Sequence, residues 1–267
     1  REPSAFNAIK AYEYAVKQRI SAGDIPEAAL AGLATQKDPD GEASVRRDAP
    51  IDVQEAQPIP ELVTELNGAR ERYVELELKS KDPALPGKLE FQVARVFYDF
   101  HHLDVARIRF EAILNKYEDQ QVAVFAAALI LQSYVDAQDY ENMAIWADRI
   151  ANNPKLASSG NAGEIRKEAE RLKLGAIFKR GEQLLDSGEY EAAAEQFIQV
   201  VNSNPKNEYA DDALINSAVA YETVKRYESA SKLYKRVYQE YPDSEHAPKA
   251  LFRVAFNAER FFDFDQA

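Results

Sequence analysis

Gly188-Glu189-Tyr190-x-x-Ala193-x-x-x-Phe197, closed by Pro205, returns 37 residues later as Arg226-Tyr227-x-x-Ala230-x-x-x-Tyr234, closed by Pro242. A third copy opens as Asp263-Phe264-x-x-Ala267, where the sequence ends. Fixed self-similarity of this length marks a solenoid, whose units are helix pairs that bury their apolar faces only against neighbours. Packing accounts for each motif position. A small or polar turn residue (Gly188, Lys225) ends one helix, and an aromatic or Leu two positions on (Leu103, Tyr140, Tyr190, Tyr227, Phe264) staples the next helix to it. A small residue three positions later (Ala106, Ala193, Ala230) permits close approach of the paired helices. A ring four further on (Phe110, Phe197, Tyr234) fills the groove of the following unit. Pro205 and Pro242 stop the second helix, since proline cannot continue it.

The same spacing reaches upstream. Leu103-x-x-Ala106-x-x-x-Phe110 and Asp139-Tyr140 precede the quoted pair, and Leu103 to Tyr140 is again 37 residues. From Tyr140 to Tyr190 the interval lengthens by 13, an insertion placed in Asn152 to Glu170. The resulting organisation is an N-terminal helix pair over 1–34, a Pro-, Gly- and charge-rich loop or linker over 35–60 and a connecting helix over 61–82. A two-unit block follows over 87–154, then the insertion with a helix extension over 155–173. A second block fills 174–267, with two units and the start of a third. In the connecting helix, Glu61 to Ser80, the apolar side is Leu62, Leu66, Ala69, Tyr73, Leu76 and Leu78. Gly23-x-Ile25-x-x-Ala28 is a fainter echo of the repeat. The expected fold is all-α, a right-handed superhelix of antiparallel helix pairs.

Composition restricts what such a chain does. A net charge of −12 and a pI near 4.9 weigh against nucleic acid and anionic membrane surfaces, which select clustered Lys and Arg. The longest apolar run, Val122 to Leu131, is too short to span a bilayer and suits a helix buried on both sides. Cysteine is absent, which removes disulfide and thiolate chemistry and fits an oxidising compartment. The start at Arg1 reads as a processed or engineered end, and the end inside a repeat as one that continues.

No catalytic constellation stands out. His101 and His102 are adjacent in a turn and so point apart, and His246 is remote in sequence. Asp38-x-Asp40 lacks the later ligands of a calcium loop. Gly160-Asn161-Ala162-Gly163 has neither the spacing nor the following Lys of a phosphate loop. Glu164 and Glu168, set among Arg166, Lys167, Arg171 and Lys173, read as an ion-paired helix face. The sequence therefore predicts no catalytic residue, no cofactor and no metal.

The repeats resemble tetratricopeptide repeats. Gly181, Leu184, Gly188, Tyr190, Ala193, Phe197 and Pro205 stand at that family's consensus positions, with Leu184 in place of Tyr. The next unit matches through Leu214, Ala218, Tyr221, Tyr227, Ala230, Tyr234 and Pro242. Upstream the likeness keeps Ala94, Phe97, Ala106, Phe110, Tyr134 and Tyr140, but Glu118 replaces Pro, Met143 takes the small position and Pro154 falls one residue early. The likeness covers 87–267. A period of 37 rather than the usual ~34 is similar to the tetratricopeptide branch of bacterial cell-envelope proteins, the barrel-assembly lipoprotein and Tol-coordinator type.

That resemblance implies a non-catalytic scaffold or adaptor for other proteins or peptides in the bacterial periplasm or at the outer-membrane periphery, with the cytoplasm as the alternative. Any lipid anchor would lie outside this stretch. It also implies that the first helix of each unit faces the ligand through its fifth, ninth, twelfth and thirteenth residues. In the first two units these are Phe91, Arg95, Tyr98 and Asp99, then Ala128, Gln132, Val135 and Asp136. In the second block they are Phe178, Glu182, Leu185 and Asp186; Ile215, Val219, Glu222 and Thr223; and Phe252, Phe256, Glu259 and Arg260. This mixed, apolar and acidic set differs from the Lys, Asn and Arg clamp of chaperone-docking members. Two other readings stay open: a helical enzyme or small-molecule binder with a site between the blocks near Asp136, Glu182 or Asp186, and a self-assembling array.

Overall fold

The computed structural model describes residues 2–29, 55–77, 80–154, 156 and 162–263. The second helix of the N-terminal pair beyond Ala29, most of the 35–60 loop with Asp38 and Asp40, Leu78, the loop residues 157–161, Phe264 and Ala267 lie outside the described residues. So do the side chains of Arg260, Phe261 and Phe262.

Among the described residues, helix is the sole regular structure and the chain is all-α, its helices packing as consecutive neighbours. The helices are α1 (Glu2–Ser21), α2 (Glu61–Glu75), α3 (Leu85–Asp99), α4 (Leu103–Lys116), α5 (Gln121–Asp136) and α6 (Tyr140–Ala151). Then come α7 (Ala162–Asp186), α8 (Tyr190–Ser203), α9 (Ala210–Thr223), α10 (Tyr227–Glu240) and α11 (Ala247–Asp263). The chain divides into two compact units, 1–139 with 149–167 and 140–148 with 168–267, so the division runs through α6 and α7.

The turn between paired helices is made the same way each time. His101, Gln138, Gly188 and Lys225 all take left-handed backbone, with φ of 60°, 53°, 81° and 61°. At each, the following N–H reaches back five residues: His102 to Phe97 O, Asp139 to Tyr134 O, Glu189 to Leu184 O and Arg226 to Tyr221 O, at 2.8–3.0 Å. The turn residue's own N–H closes on the carbonyl three back. These paired bonds satisfy the last carbonyls of the first helix and reverse the chain within two residues. Gly23, at φ 79°, ends α1 likewise, with Asp24 N–H on Arg19 O at 2.9 Å. The faint echo at Gly23 thus shares the turn of the repeats.

In the first unit, α2 lies against both α1 and α3. Their core joins Ile9 and Val16 of α1 to Val63, Leu66 and Tyr73 of α2, to Leu89 and Val96 of α3 and to Phe100 just after it. The expected course of the connecting helix needs correction. It ends at Glu75 instead of Ser80, because Glu77 turns left-handed at φ 45° and its N–H closes on Val74 O. Leu76 is therefore exposed, and the buried face of α2 includes two polar residues that the apolar pattern passed over, Asn67 and Arg70. The run Val122 to Leu131 forms most of α5 and is buried apart from Phe125 and Leu129, which are half-buried. Arg107 of α4 fastens α5 by donating to Ser133 Oγ at 2.9 Å and Ser133 O at 2.7 Å.

In the second unit one core runs through α7 to α11, with Phe178, Phe197, Leu214, Tyr234 and Val237 among its members. Ala193 and Ala230 are fully buried, as close helix approach requires. The Phe197 ring lies on its own pair's first helix: a Cβ on Gly181 would stand 2.7 Å from Phe197 Cε1, so only glycine fits there. Phe110 does the same on α3, 5.5 Å from the Phe91 ring and 6.4 Å from Tyr98. The loop after α10 is tied to the loop after α8 by Tyr241 OH on Pro205 O at 2.7 Å, and to the first turn of α9 by Ser244 Oγ on Asp211 at 2.7 Å and His246 Nε2 on Asp212 at 2.6 Å.

Candidate partner-binding faces

Five of the eight first-block positions that the resemblance expects to face a ligand lie together between α3 and α5. Tyr98 is half-buried and donates its hydroxyl to Asp136 Oδ2 at 2.6 Å, while Gln132 Nε2 donates to Asp136 Oδ1 at 2.7 Å. One turn from Tyr98, Arg95 Nε donates to both carboxylate oxygens of Asp99, at 2.9 and 3.0 Å. The Arg95 guanidinium stands 5.8 Å from the Tyr98 ring centre. Helical spacing explains the grouping, since Arg95 and Asp99 are four apart and so are Gln132 and Asp136. Burial, then the Asp136 carboxylate beside it, pushes the Tyr98 hydroxyl far above the ordinary tyrosine range. Phe91 belongs to packing instead, set against Phe110 and 6.2 Å from Phe125.

The second unit has its own network, centred on Glu222 of α9. Its carboxylate accepts from Tyr234 OH at 2.8 Å and from Arg253 of α11 at 2.9 Å. Burial, then the bond to Glu222, pushes the Tyr234 hydroxyl well above its ordinary range. Arg253 also stands 5.8 Å from the Phe256 ring, and Phe256 stacks on Phe252 at 6.1 Å. Phe252 itself is 66% exposed. Glu182 pairs with Lys179 on the same helix at 2.7 Å, and Asp186 is exposed at the end of α7.

The structure thus brings Arg95, Tyr98, Asp99, Gln132 and Asp136 together in one place and Glu222, Phe252 and Phe256 in another. Three of the positions expected to face a ligand are buried. Ala128 is buried, Ile215 is buried, and Phe178 is held between Phe197 at 5.1 Å and Tyr209 at 5.4 Å. Two participants were not marked as site residues by the sequence: Tyr234, read as a packing ring, and Arg253, one position past Phe252 and outside the repeat pattern. Their link is a partner sharing Glu222, which spacing along one helix does not reveal.

Chemically, the carboxylates of both networks accept hydrogen bonds from neutral or cationic donors already in place. Among the described residues no group of three His, Asp or Glu side chains is arranged to hold a metal ion. No helix among them is long and apolar enough to cross a membrane. Models of known protein families match no part of the chain, and no curated protein matches it.

Proposed function

We propose that the chain is a tetratricopeptide-type scaffold that binds other proteins or peptides along its first-helix faces and carries out no chemistry of its own. The supporting observation is the identity of the four helix–turn–helix junctions, at His101, Gln138, Gly188 and Lys225, together with hydrogen-bonded polar networks on the first helices that follow from them. Such groups are held in fixed geometry by their neighbours, which suits recognition of a partner surface more than proton transfer or nucleophilic attack. The absence of cysteine and the 37-residue period support a place in the bacterial envelope.

Photocrosslinking in bacterial cells tests this reading. A crosslinker at Asp186 or Phe252 should give discrete protein adducts, and one at Glu195, exposed on the second helix α8, should not. Equal adducts from all three positions, or a turnover abolished by Glu222→Gln with the fold intact, would overturn it.

A further inference from the structure

We draw no further inference here: the strongest candidate, the exposed apolar face of α11 at Leu251 and Phe252, where Phe252 stacks on Phe256 beside Arg253, carries nothing, because Arg253 is already paired with Glu222 and nothing in the structure shows what covers that face.

Discussion

The hydroxyl of Tyr98 on α3 donates to the carboxylate of Asp136 on α5 across 2.6 Å, joining the first helices of two successive repeats. A hydrogen bond to a charged acceptor in a half-buried place contributes more than a neutral one. Tyr98→Phe should therefore lower stability by about 1–2 kcal/mol. A double-mutant cycle with Asp136→Asn, followed by urea unfolding, should show that the two changes are not additive. Additive effects would mean that the pair contributes nothing beyond packing.

Alkaline titration probes the same bond and its counterpart at Tyr234. Both hydroxyls hold their protons above the ordinary tyrosine range in the folded chain. A raised folded value gives stability that is complete below the unfolded value, about 10, and is lost as pH rises beyond it. Ultraviolet difference spectra should place Tyr98 and Tyr234 among the tyrosines that ionise late, and Tyr98→Phe should remove one ionisation from that late group.

Left-handed turns occupied by residues with a Cβ are strained at His101, Gln138 and Lys225, whereas Gly188 adopts the same backbone freely. Lys225→Gly is expected to raise stability by about 0.5–1 kcal/mol, and Gly188→Ala to lower it by about 1 kcal/mol. Thermal melts of the two variants should move in opposite directions.

Gly181 has no room for a methyl group, since Phe197 is fully buried and its ring cannot turn aside. Gly181→Ala should cost about 1–3 kcal/mol by overpacking. Adding Phe197→Leu to that variant should restore part of the loss, although Phe197→Leu alone destabilises. Failure of the pair to compensate would place the strain elsewhere.

Much of the fold is legible in the sequence because it is local and repeated. The aromatic, Ala and ring spacing around Tyr190 and Tyr227 encodes a helix pair, and the pair has one close-packed solution, so the helices emerge near their expected positions. The connecting helix is the instructive departure. Its period would let it run to Ser80, but a left-handed Glu77 ends it early, a conformation that nothing in the identity of Glu announces.

The candidate site is legible only in part. Arg95 with Asp99 and Gln132 with Asp136 are visible, because four-residue spacing brings side chains together on any helix. Tyr98 with Asp136, Arg253 with Glu222, and Glu13 with Arg70 lie 38, 31 and 57 residues apart and share no helix. By itself, then, the sequence determined an acidic, cysteine-free, all-helical chain of repeated pairs, since period and composition act residue by residue along the chain. Only the tertiary structure decided which polar groups meet and which are buried, because a side chain's partner across two helices depends on how those helices pack.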